Sequence, residues 1–401
     1  MLSAGLLSLS LFLPGAAGAQ MAMAHGKAKT PKTELGAAAV SDAAGRIWVL
    51  TREAAEQGKA FLILRFSPDM GQNWSVGRRV QAEAEAIAAD GESRPKLALG
   101  AKGELYISYT KPLARPYTGE IRFVRSDDSG QTFSAPLTVH ANRDEITHRF
   151  DSMVTDKAGR IFIAWIDKRD SEAARARQEN YAGAAIYYAI STDGGRSFQG
   201  DYKIADHSCE CCRIGLTMNR EGVPVAMWRH VFAGDVRDHA LLALTPDGKP
   251  GKLERATFDD WHVNACPHHG PSLSYAPDGR RHQTWFSVNA DGGGVFYAAT
   301  KADGSLDAPV RLGTAQAEHA DVLTEGDKVA VVWKQFNGQQ TEIVGRMSLD
   351  GGRRWVEKTL ATTTGNSDQP HLFQTSEGIA VLWNTQADGV RILRTIQEAA
   401  P

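Results

Sequence analysis

One unit recurs seven times along the chain: an apolar segment, a glycine-containing turn, and a second apolar segment that usually ends in an aromatic residue. It runs from Leu35 to Thr51, Arg94 to Tyr109, Arg149 to Trp165, Cys212 to Trp228, His269 to Trp285, His319 to Trp333 and Gln369 to Trp383. The offset is identical in Leu97 to Tyr109, Met153 to Trp165, Leu216 to Trp228 and Leu273 to Trp285, and the last two units are slightly shorter. A third strand-forming run follows each pair, as in Phe61 to Leu64, Ile121 to Val124, Ile186 to Ala189 and Gly294 to Tyr297, and a fourth follows in every unit but the last. One such sheet of roughly 50 residues cannot bury both its faces alone, so repetition at this period predicts blades stacked into a ring. The expected fold class is all-β, a β-propeller of four-stranded antiparallel blades, seven by this count and six if the first unit is irregular. The final unit has three strands before Pro401, so the segment around Gly26 to Lys32 is expected to supply its outer strand.

The start of the chain reads differently. Leu6 to Leu13 is a short apolar run, and the small residues Gly15 to Ala19 follow Pro14, which reads as a leader cut near Ala19. The expected organisation is a signal peptide over residues 1–19, a segment over 20–33 that closes the last blade, and a propeller over 34–401. The run is too short to span a membrane, and no later segment reaches the ~20 apolar residues that a transmembrane helix needs. A periplasmic or secreted location follows as an expectation, and four cysteines there would by default form disulfides. A formal net charge of -2 gives no electrostatic reason for nucleic-acid binding. The partners expected are a small molecule, a glycan or a metal ion, on a monomer.

Between the third and fourth strands stands a turn of the pattern Ser-x-Asp-x-Gly-x-x-aromatic. It is complete at Ser67, Asp69, Gly71 and Trp74; at Ser126, Asp128, Gly130 and Phe133; at Ser191, Asp193, Gly195 and Phe198; and at Ser348, Asp350, Gly352 and Trp355. The aspartate accepts backbone N–H bonds across the turn, the glycine takes a positive φ, and the aromatic packs back on the sheet. These turns resemble the Asp boxes of the sialidase superfamily, and the resemblance covers essentially the whole chain after the leader. It implies a structural role for Asp69, Asp128, Asp193 and Asp350, on the face away from any active site.

Strand alternation then sorts the other polar residues. If the Asp-box turns lie below, the loops between second and third strands and the segments leading into each blade lie above. The upper mouth therefore gathers Glu92, Arg94, His148, Arg149, Cys212, Arg213, His268, His269, Glu318, His319, Asp368 and His371, with Arg229, His230, Arg237 and His239 from blade four. A concave mouth with convergent polar groups is the expected site.

Two chemistries compete there. Resemblance to sialidases implies a retaining glycosidase with an arginine triad for the substrate carboxylate, an aspartate acid/base, and a tyrosine activated by a glutamate. Arg94, Arg149 and Arg213 occupy neighbouring positions for such a clamp, with Arg229 and Arg237 as further ligand-binding candidates. Asp151 is the candidate acid, and Tyr181 with Glu179 the candidate nucleophile pair. The sequence departs from the pattern, because Gly36 to Ala39 stands where sialidases carry Phe-Arg-Ile-Pro. The second chemistry starts from Cys209-Glu210-Cys211-Cys212-Arg213 and Cys266-Pro267-His268-His269. Thiolates and imidazoles suit Zn or Cu, so Cys209, Cys211, Cys212, Cys266, His230, His268, His269 and His319 are candidate metal ligands. The competing expectation for the sulfurs is a disulfide from Cys209 or Cys211 to Cys266, with a vicinal Cys211–Cys212 bridge as the second option.

Overall fold

The computed structural model describes residues 34–249, 251–263, 265–289 and 292–395. Residues 1–19 and 20–33, read from sequence as a leader and as the closing strand of the last blade, lie outside them.

Seven antiparallel sheets follow one another in chain order among the described residues, six of four strands and the last of three. The first strands of the blades are Ala38–Ser41, Lys96–Leu99, His148–Thr155, Gly215–Met218, Ser272–Tyr275, Ala317–Glu325 and His371–Thr375. Each lies innermost and touches its neighbours on both sides, with that of blade one against those of blades two and seven. Among the described residues the ring is closed by the innermost strands of blades one and seven. Two contacts help: Asp368 accepts the Ala37 N–H at 3.1 Å, and Asn384 donates to the Leu35 carbonyl at 2.8 Å.

The alternation of apolar residues produces this stack. Each strand offers one face to the preceding blade and one to the next, so the core is a series of layers between blades. Trp48, Leu50, Leu62 and Leu64 of blade one meet Leu97, Ile107 and Tyr109 of blade two, and the other junctions follow suit. Trp165, Trp228, Trp285, Trp333 and Trp383 lie in the second strands and are almost completely buried. The outer strands of blades one, two and four, Arg78–Arg79, Leu137–Thr138 and Glu254–Arg255, have two residues each, which leaves little edge there for another chain to pair with, whereas those of blades three and six, Gln199–Ser208 and Val356–Thr363, are longer.

The four complete Asp-box turns share one hydrogen-bond pattern. The serine hydroxyl donates to the aspartate at 2.8 to 2.9 Å and accepts the glycine N–H at 2.8 Å. The aspartate accepts the N–H four residues on at 2.8 to 3.0 Å. Hydrogen bonds from the Thr132 side chain and backbone hold the Asp128 carboxyl down at about 2. The aromatic packs in the layer between its own blade and the preceding one. Phe198 meets Phe123 edge-on at 5.0 Å, and Trp355 meets Tyr297 at 5.2 Å. Gly195 shows why this turn needs glycine: its φ is +78°, and a Cβ would stand 2.4 Å from the Phe123 ring.

Candidate functional site

The segment between the last strand of blade three, Gln199–Ser208, and the first of blade four bends over Glu210 to Cys212. That bend removes the alternation that would throw Cys211 and Cys212 to opposite sides. The Cys209 and Cys211 sulfurs lie 3.7 Å apart, Cys209 and Cys212 3.9 Å, and Cys211 and Cys212 4.0 Å. Cys266, on the segment leading into blade five, brings its sulfur within 4.8 Å of those of Cys209 and Cys211. All four cysteines are thiols. Neither the Cys209 or Cys211 staple to Cys266 nor the vicinal bridge is formed, since a disulfide needs about 2.05 Å between sulfurs.

Cys209, Cys211 and Cys212 are buried in the apolar layer between blades three and four, beside Phe150, Ile214 and Trp228, whereas Cys266 is exposed. Of the six buried second-strand tryptophans, Trp48, Trp165, Trp285, Trp333 and Trp383 donate their indole N–H to a partner, and Trp228, beside the cysteines, has none. Hydrogen bonds from the Cys211 and Cys212 thiols hold the Cys209 thiol well below its usual range, and the Arg229 charge adds to this. With Cys209 charged, Cys211 and Cys212 are pushed up, so further thiolates form only if something replaces their protons.

Arg229 is the cation of this layer. It is 1% exposed, its guanidinium donates to the carbonyls of Arg237, His269 and Phe286 at 2.8, 3.2 and 2.6 Å, and it stacks over Trp261. No carboxylate among the described residues pairs with it, so the thiolates are its natural counter-charge. Arg149 also attracts the charge of Cys211 and has an unpartnered Nε.

The other arginines are engaged. Arg94 pairs with Asp368 at 3.2 Å and donates to the Ala37 and Gln369 carbonyls. Arg213 pairs with Glu92 at 2.8 Å and donates to Gln369 and the Ala320 carbonyl. Arg237 makes no ion pair among the described residues, and its buried Nε has no hydrogen-bond partner. Glu92 is the hub of the mouth. Its carboxylate accepts the backbone N–H of Arg213 at 2.7 Å and of Gly270 at 2.9 Å, and the side chain of Gln369 at 3.0 Å, with His319 Nδ1 at 3.4 Å. Burial opposes its charge, yet Arg213 keeps its carboxyl far below the usual range. A Cβ on Gly270 would meet Arg213 at 2.2 Å, so glycine lets the two cysteine-bearing segments touch.

The histidines divide. His269 and His319 stand with Glu318, donor atoms within 4.8 Å of one another. His268 is exposed and outside this group, and His230 turns edge-on to Phe232 at 4.5 Å with its Nδ1 unpartnered. The residues considered for glycosidase chemistry lie apart. Asp151 is buried and accepts from Ser108 and Thr110, Tyr181 donates to Asp206 at 2.6 Å, and Glu179 pairs with Arg177 at the surface. The insertion carrying the last two contains a helix, Arg169–Ala176, that the sequence reading did not anticipate. Below the mouth a cavity of about 240 Å³ on the ring axis is lined by Lys96, Ser152, Thr217, Asp321 and His371. Burial pushes Lys96 down to about 8.

No family model and no curated protein matches the sequence. Solved structures do. An ulvan lyase, described as a new family of polysaccharide lyase, aligns at a TM-score of 0.56 and 11% identity over 90% of this chain and 91% of its own. A Hadza microbial sialidase aligns at 0.53 and 16% identity, over 86% of this chain and 74% of its own. The chain shares their β-propeller fold. A protein of unknown function from Dyadobacter fermentans aligns at 0.52 and 16% identity, over 78% of this chain and 93% of its own. At these identities the likeness describes the fold, and the chemistry rests on the residues at the mouth.

Proposed function

We propose that this propeller is an exported metal-binding protein that holds a thiophilic d¹⁰ ion, Cu(I) or Zn(II), on Cys209, Cys211, Cys212 and Cys266. The observation that carries the reading is the sulfur spacing. A tetrahedral ion with bonds of about 2.3 Å separates its sulfurs by about 3.8 Å, and the three buried separations run from 3.7 to 4.0 Å. Thiolates select these ions over hard cations. The cations Arg229 and Arg149 support the same reading, because a thiolate–metal cluster carries net negative charge and sits here in an apolar layer.

Glycan cleavage with an arginine clamp has less support. Arg94 and Arg213 already spend their donors on Asp368, Glu92 and carbonyls, and Tyr181 donates to Asp206 while Glu179 pairs with Arg177.

An anaerobic titration tests the proposal. One equivalent of Cu(I) or Zn(II) is expected to bind, to shield four thiols from a disulfide reagent, and to release all four when a chelator removes it. Protein purified without reductant that holds no metal and has four oxidised cysteines would contradict it.

A further inference from the structure

A second group of donors at the mouth uses none of the cysteines. His269 precedes the first strand of blade five, and Glu318 and His319 lie near the start of the first strand of blade six, Ala317–Glu325. The pairing of that strand with its neighbour slips between Glu318 and Asp321, and His319 stands in the slip with φ +51°. A non-glycine residue held in the left-handed region costs energy, so the local fold imposes the conformation that turns this ring toward His269. The two imidazoles lie 4.4 Å apart between centroids, and His269 is stacked on Phe286 at 4.2 Å, which fixes its plane. Nδ1 of His269 is buried without a hydrogen-bond partner, while His319 turns Nδ1 to Glu92 at 3.4 Å and Nε2 toward Glu318 at 3.8 Å. A buried imidazole with an orphaned nitrogen, beside a second imidazole and a carboxylate, loses hydrogen bonding unless a ligand takes it.

The geometry points to a second metal site on His269, His319 and Glu318, one that takes a divalent ion of borderline softness such as Cu(II) or Zn(II). Imidazole and carboxylate donors suit these ions, and thiolates are not required. Glu318 is partly exposed, with Lys334 at 3.2 Å from one oxygen and His319 Nε2 3.8 Å from the other. That leaves the site open on the solvent side, and it positions a lysine that must shift or share the carboxylate when the ion binds. Glu92, 3.4 Å from His319 Nδ1, supplies negative charge behind the ring and stays with Arg213.

The test is a Cu(II) titration of the variant in which all four cysteines are alanine, followed by electron paramagnetic resonance. One equivalent is expected, with a signal split by two nitrogens. His269→Ala or His319→Ala in that background should remove the nitrogen splitting and weaken binding by at least about 100-fold, because each deletes a direct ligand, whereas loss of an outer partner costs 10–100-fold. If the four-alanine variant does not fold, native protein with its thiols reversibly blocked serves for the same titration. Binding that both histidine substitutions leave unchanged, or a folded protein that takes up no Cu(II), would overturn the assignment. Neither outcome touches the thiolate proposal, whose donors are absent or masked throughout.

Discussion

Cys209→Ala weakens Cu(I) or Zn(II) binding by more than about 100-fold while leaving the propeller folded. The size follows from its position: Cys209, like Cys211, approaches all three other thiols, at 3.7 and 3.9 Å from Cys211 and Cys212 and within 4.8 Å of Cys266. Loss of a group that merely supports a ligand costs 10–100-fold in affinity, and loss of the ligand costs more. Alanine suits the test better than serine, because a hydroxyl in this apolar layer would add an unsatisfied donor. Competition with a chelator of known affinity measures the change, and far-UV circular dichroism checks the fold. Cys266→Ala separates the two ions. A three-coordinate Cu(I) site on the buried thiols would lose little, whereas a tetrahedral Zn(II) site would lose about as much as with Cys209→Ala.

Glu92→Ala carries the largest expected loss of stability, about 3–5 kcal/mol, the usual cost of stripping one partner from a buried ion pair. The carboxylate is 4% exposed and Arg213 is its ion-pair partner. Without it the Arg213 charge stays in the mouth unpaired, and two backbone donors, Arg213 and Gly270, lose their acceptor. Those donors sit one residue after Cys212 and four after Cys266, so Glu92 fixes the two cysteine-bearing segments against each other. Denaturant unfolding of the metal-free protein reads the stability. A companion loss of 10–100-fold in metal affinity, as for a residue that orients ligands, is expected from the same variant. A Glu92→Ala protein as stable as the parent would show that the ring is held by its inter-blade layers alone.

The fold was legible because its signals are local and repeated. Seven copies of one strand pattern and four copies of one turn set blade count and order without any long-range contact being known. The closing of blade seven was harder to read, since what holds it to blade one includes single side chains, Asp368 and Asn384, bonded to backbone more than 300 residues away. At the site, alternation placed the right residues on one face, and the cysteine segments were recognisable as unusual. Their arrangement was not. Strand logic set Cys211 and Cys212 apart, and a bend at Glu210 to Cys212 reunites them. The arginines looked available because a sequence does not show that Glu92, Asp368 and backbone carbonyls already engage Arg94 and Arg213. Glu318 was placed at the mouth but not read as a ligand, because its partner His269 comes from another blade.

The most direct measurement of the central claim is X-ray absorption at the metal edge of protein loaded with one equivalent of Cu(I) or Zn(II). The account predicts a first shell made of three or four sulfurs at about 2.3 Å, reduced by one when Cys209 is alanine. A shell of nitrogen and oxygen alone would contradict it.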